Sequence, residues 1–206
     1  MTKAKICGIT NLDDALCAAK NGAWAIGFNF YRASPRYISP QAAKKIISDL
    51  PSHILKVGIF IDEPANVIIN TLNITGLDFA QVYEDLQVPE SDKKRMILVI
   101  QASSEQDLPP QSIMQAYAYI LVDAPKSSDG LLGGTGRLAN WPLAHELAQN
   151  YQLILAGGLN PTNVSKAIHS VRPFAVDVAS GVEKSPGIKD QVLVREFIAS
   201  TIKEND

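Results

Sequence analysis

A cysteine, an aspartate and an arginine, each placed where an apolar run gives way to a turn, are the side chains of this chain best suited to chemistry. Cys7 ends the run Lys5-Ile6-Cys7 and is followed at once by Gly8-Ile9-Thr10. Asp123 follows directly on Leu121-Val122, and Arg36 stands in Ser34-Pro35-Arg36, beyond the run that ends at Phe28. A thiolate can take a proton, a carboxyl group can give one, and a guanidinium can grip a carboxylate by two parallel hydrogen bonds. Each residue also has an ordinary use: a buried small hydrophobe, a turn former and a solvated loop cation. None of His53, His145 and His169 follows a strand-like run. The commonest acid–base side chain is therefore missing, and a thiol–carboxylate pair is left.

Glycine-bearing segments suggest a second kind of chemistry. Ala156-Gly157-Gly158-Leu159-Asn160-Pro161 and Asp177-Val178-Ala179-Ser180-Gly181-Val182-Glu183 each open at or just after an apolar run. Glycine lets backbone N–H groups approach an anion closely, although any one such loop can equally be a tight turn. Gly157, Gly158, Asp177, Ser180 and Gly181 are thus candidate substrate-binding residues, with a phosphorylated small molecule as the expected partner. Gly133-Gly134-Thr135-Gly136 is either a further anion-approach element or a lid, which adds Gly134 to the candidates.

These residues need a scaffold, and the pattern supplies one. Strand-like runs fall near Ala4–Cys7, Trp24–Phe28, Lys56–Phe60, Phe79–Val82, Met96–Ile100, Tyr119–Val122, Leu153–Ala156 and Ala175–Val178. A helical pattern opens at Asn11-Leu12-Asp13-Asp14, and others fall at Gln41–Asp49, Ala65–Thr71, Leu143–Asn150, Pro161–His169 and Asp190–Ile202. Ser39 before Pro40 and Asn160 before Pro161 read as helix caps, since proline suits the first helical turn. Alternating strands and helices imply a parallel sheet with right-handed crossovers. Eight such units in one chain favour a single α/β domain over residues 1–206, a (β/α)8 TIM barrel, with an open doubly wound sheet as the alternative. In a closed barrel the last strand neighbours the first. The sites then run round the mouth in the order Asp123, the two glycine loops, Cys7 and Arg36.

Composition bounds the partners. With 206 residues, 46% hydrophobic and 19% charged, the chain can bury a substantial core. A net charge of −2 without a basic cluster argues against nucleic acid or an anionic membrane. No apolar run approaches the roughly eighteen residues of a membrane span, and Met1-Thr2-Lys3-Ala4-Lys5 lacks the apolar stretch of a signal peptide. Cys7 and Cys17 make neither a disulfide framework nor a metal cluster, so a reducing cytoplasm is expected and no metal is.

Several of these motifs occur together, in order, in one family. Lys5-Ile6-Cys7-Gly8-Ile9-Thr10, Ser34-Pro35-Arg36, Gly58-Ile59-Phe60, Gly133-Gly134-Thr135-Gly136, the two glycine loops and Pro186-Gly187-Ile188-Lys189-Asp190 resemble phosphoribosylanthranilate isomerase of tryptophan biosynthesis over nearly the whole chain. The resemblance implies a cofactor-free Amadori rearrangement of an aldosylamine phosphate. It implies Asp123 as general acid, Cys7 as general base and Arg36 as the holder of the anthranilate carboxylate, in a monomer or homodimer. Tyr83-Glu84 departs from the family's usual Gln-Leu-His-Gly wording, and Asn140 stands where aspartate is common. A non-catalytic phosphate-binding barrel, or an isomerase of a related aminoaldose phosphate, are the rival readings.

Overall fold

In the computed structural model, which describes residues 1–125 and 138–202, the alternation closes into a ring. The expected site residue Gly134 lies outside the described residues. The strands are β1 (Lys3–Ile6), β2 (Ala25–Asn29), β3 (Leu55–Ile59), β4 (Phe79–Val82), β5 (Met96–Ile100), β6 (Tyr119–Val122), β7 (Leu153–Leu155) and β8 (Ala175–Val178). All pair in parallel with their neighbours, and β1 pairs with β8 through Lys5 opposite Asp177 and Ile6 opposite Val178. The (β/α)8 barrel is therefore the observed fold, and the open sheet is excluded.

Helices α1 (Leu12–Lys20), α2 (Pro40–Ser48), α3 (Ala65–Thr75), α4 (Glu90–Lys93), α5 (Gln111–Ala116), α6 (Trp141–Ala148), α7 (Val164–Val171) and α8 (Gln191–Ile202) lie between or after the strands. Three starts follow from side chains that satisfy orphan N–H groups: Asn11 accepts from Asp14 N, Ser39 from Ala42 N and Asn140 from Leu143 N. A short hairpin of β9 (Glu183–Ser185) and β10 (Ile188–Lys189) precedes α8.

Two expectations are corrected. Cys7, Phe60 and Ala156 fall just past their strands, although each still donates its N–H across the ladder, to Val178, Gln81 and Val122. Asn160 does not cap a helix that begins at Pro161, because α7 starts only at Val164. The Asn160 side-chain oxygen instead accepts from Thr162 N and Oγ1, at 2.9 and 2.6 Å, and forms a local turn.

Side chains alternate between two cores. One set packs between strands and helices; the other fills the barrel with Ala25, Val57, Ile97, Val99, Leu121, Ile154, Ala156 and Ala175. At the amino-terminal end of the strands Trp24, Phe79, Tyr119 and Phe174 close the barrel with ring centroids 5.4–5.5 Å apart, and Lys3 Nζ lies 4.6 Å from the Phe174 ring centre. That leaves the carboxyl-terminal end open for the site.

Candidate active site

That end holds a concave cleft at the mouth of the barrel. Cys7, Arg36, Asp123, Gly157, Gly158, Asp177 and Ser180 all line it, each from a strand end or the loop that follows. The sequence had separated these residues by up to 173 positions; closure of the ring brings them to one mouth.

Beneath the thiol lies a polar layer that the sequence reading missed. Lys5, two residues before Cys7 and so on the same strand face, is fully buried. Its Nζ donates to Asp177 Oδ1 at 2.9 Å and to Gln81 Oε1 at 3.1 Å, tying β1 to β8 and β4 across the barrel. Burial alone would favour the neutral amine, but Asp177 and Cys7 outweigh it and raise the Lys5 pKa. Breaking such a buried pair costs about 3–5 kcal/mol, because one charge is left uncompensated. Asp177 is thus placed in the cleft lining as expected, and it is also the anchor of Lys5. The signal that could have revealed Lys5 is a charged residue inside the apolar run Ala4–Cys7.

The thiol itself is crowded into place. A Cβ at Gly27 would stand 2.9 Å from Cys7 Sγ, so the absence of a side chain on β2 makes room for it. Burial pushes the Cys7 thiol up, and the Asp177 carboxylate adds to the shift, while Lys5 and Lys189 oppose it without reversing it. Across the mouth Asp123 is buried, with Oδ1 accepting from Ala124 N at 2.7 Å. Burial pushes its carboxyl up to about 6, with Asp177 adding and the Ala124 N–H and Lys5 opposing. Tyr83 lines the same cleft while Glu84 is exposed, so the added bulk reaches the site and the added charge does not. Burial first, then Asp123 and Cys7, hold the Tyr83 hydroxyl neutral.

The two glycine loops are stitched into one surface. Gly157 and Gly158 take φ of 83° and 61°, a region open to few other residues. Their N–H groups bond to no described residue, whereas Asn163 secures the loop by donating Nδ2 to Gly158 O and accepting from Asn160 N, both at 2.9 Å. Gly181 is different. A Cβ there would collide with the Leu159 carbonyl oxygen, so Gly181 lets the loop after β8 rest on the loop after β7 and is not itself in the cleft lining.

Arg36 reaches the rim with its stem laid over Gly8, where a Cβ would stand 2.6 Å from Arg36 Cδ. The guanidinium is gripped from behind by Glu183, Nε to Oε1 at 2.9 Å and Nη2 to Oε2 at 2.7 Å. The side chains are 14% and 5% exposed, so this is a desolvated, two-point ion pair. His53, His145 and His169 stay outside the cleft, and Cys17 packs in α1 against the outer core. Among the described residues no cluster of three or more His, Cys, Asp or Glu could hold a metal ion, and no helix is long and apolar enough to cross a membrane.

A mouth with a thiol, a raised carboxyl, glycine turns and a fixed cation can be set beside known proteins. The sequence model of one family, N-(5'phosphoribosyl)anthranilate (PRA) isomerase, matches residues 4–200. N-(5'-phosphoribosyl)anthranilate isomerase of Pelobacter propionicus is 45% identical over 200 residues, covering 96% of this chain and 94% of that protein. Its counterpart in Thermotoga neapolitana is 44% identical over 207 residues, covering 96% and 97%. The solved phosphoribosyl anthranilate isomerase of Thermotoga maritima superposes with a TM-score of 0.85 at 38% identity, over 98% of this chain and 100% of that one. A solved enzyme in complex with reduced 1-(o-carboxyphenylamino)-1-deoxyribulose 5-phosphate gives 0.82 at 36%, with the same coverage. Fold, cleft and sequence thus agree: the chain belongs to the N-(5'-phosphoribosyl)anthranilate isomerase family.

Proposed function

We propose that Cys7 and Asp123 are the base and acid of the aldose–ketose isomerisation this chain catalyses, from N-(5-phosphoribosyl)anthranilate to 1-(2-carboxyphenylamino)-1-deoxyribulose 5-phosphate. The carboxyl of Asp123 protonates the furanose ring oxygen, the C1–O bond breaks, and the nitrogen lone pair forms an iminium. That cation acidifies C2–H. The Cys7 thiolate takes the proton, the C–H electron pair forms C1=C2, and nitrogen regains its lone pair in an enolamine. Transfer of the O2 hydroxyl proton to C1 completes the ketone. No electron acceptor or cofactor is consumed.

The rest of the cleft serves the two ends of the substrate. The N–H groups of Gly157, Gly158 and Ser180 hold the phosphate, and Arg36 holds the anthranilate carboxylate. A base that must stay a free thiol suits the reducing cytoplasm.

The observation that carries this reading is that the thiol and the raised carboxyl line a single cleft with the glycine cradle. Conversion of phosphoribosylanthranilate, followed by loss of anthranilate fluorescence, tests it. Cys7→Ala and Asp123→Asn should each lower kcat by about 10²-fold or more, while Cys17→Ser leaves it intact. Wild-type turnover in Cys7→Ala would remove the base from the scheme.

A further inference from the structure

Glu183 is not part of the cleft lining, yet it spends both carboxylate oxygens on a residue that is. It takes the side edge of the Arg36 guanidinium, Nε and Nη2. Both hydrogens of Nη1 and the second hydrogen of Nη2 bond to no other described residue. These form the end edge, which can receive a second carboxylate by two parallel bonds.

Glu183 is itself immobilised. Oε1 also accepts from Lys189 Nζ at 2.9 Å and from Gly187 N at 3.2 Å. Lys189 Nζ donates to Ala179 O at 3.1 Å and its backbone N–H to buried Asp14 at 2.8 Å. Thr10 Oγ1 donates to Gly187 O at 2.5 Å, which fastens the β9–β10 hairpin to the loop after β1. Glu183 thus sits between two cations, Arg36 and Lys189, and is held by both.

We infer that Glu183 is a positioning residue that locks the Arg36 guanidinium by one edge, so that its other edge faces the cleft and selects ligands bearing an aryl carboxylate. The inference rests on Arg36 being the carboxylate holder. Without Glu183 the guanidinium keeps its charge but loses its fixed plane, and a fixed plane is what makes bidentate binding selective.

The test uses two competitive inhibitors: reduced 1-(o-carboxyphenylamino)-1-deoxyribulose 5-phosphate and the same compound without the carboxyl group. The wild type should prefer the first. Glu183→Gln should cut that preference about tenfold by weakening the first and leaving the second unchanged, the size of one charge-assisted contact. A general structural defect would weaken both equally, and that result overturns the inference, as does an unchanged preference. Arg36→Met in the same series separates the two readings. If it keeps the preference, Arg36 is not the carboxylate holder; if it erases the preference while Glu183→Gln does not, only the role of Glu183 fails. Should Glu183→Gln not fold, Glu183→Asp keeps the charge but shortens the reach, and an unchanged preference there overturns the inference too.

Discussion

Near neutrality Asp123, with its carboxyl raised to about 6, is mostly ionised, while the raised Cys7 thiol is mostly protonated. The scheme needs the opposite state of both. The active form is therefore a minority form, and this sets the pH dependence. Below pH 6 the acid stays protonated while the thiolate fraction climbs, so kcat/KM rises with pH. Between the two pKa values the gain in thiolate cancels the loss of acid, and the profile is flat. Above the thiol pKa the thiolate is complete and only the acid keeps disappearing, so kcat/KM falls. The lower inflection, near 6, belongs to Asp123, and the upper one to Cys7. Iodoacetamide alkylation in a Cys17→Ser background should titrate with the upper limb; a thiol titrating near pH 6 would invert the assignment. At this scale the proposed acid and base were legible as cleft-lining residues, because residue type and strand-end position coincide at Cys7 and Asp123. Their supporting partners were not. Lys5 meets Gln81 and Asp177 across 76 and 172 positions, and Arg36 meets Glu183 across 147, pairings that only ring closure creates.

The loops after β7 and β8 form one element with a seam at Gly181. Gly181→Ala places a methyl group on the Leu159 carbonyl, and relief requires the loops to part. Such overpacking costs about 1–3 kcal/mol. The expected outcome is a lower melting temperature together with a roughly tenfold higher inhibition constant for inorganic phosphate, since the cradle is spread. A variant that melts earlier but binds phosphate normally would confine Gly181 to stability. Strand positions were readable to within a residue, because apolar runs bounded by turn residues leave little latitude. The start of α7 was not, because Asn160-Pro161 is as good a turn as a cap. The outcome hung on Asn163, whose side chain is committed to Gly158 and Asn160 and so places the helix later. The hairpin carrying Glu183 also escaped notice, since its strands of three and two residues are too short to show alternation.

The whole molecule separates work from support. The open end holds the polar groups, and the closed end holds an aromatic plug with Lys3 resting over it. Trp24→Ala should remove about 3 kcal/mol or more of stability while kcat and KM stay near wild type, read by thermal unfolding and steady-state kinetics. A changed kcat would mean that the two ends are coupled through the interior. The barrel as a class was legible from the count and spacing of its strands.

The seam between β1 and β8 bears on the order of assembly. Lys5, beside the thiol, leaves the ribosome 172 residues before Asp177, which neutralises it. Until that strand docks, the first strand can be sheltered only with an unpaired ammonium beside it, which disfavours early burial. Docking of the eighth strand and completion of the surroundings of the Cys7 thiol are then one event. During refolding, catalytic activity should return together with hydrogen-exchange protection of Val176 and Val178, and a partly closed ring should be catalytically silent.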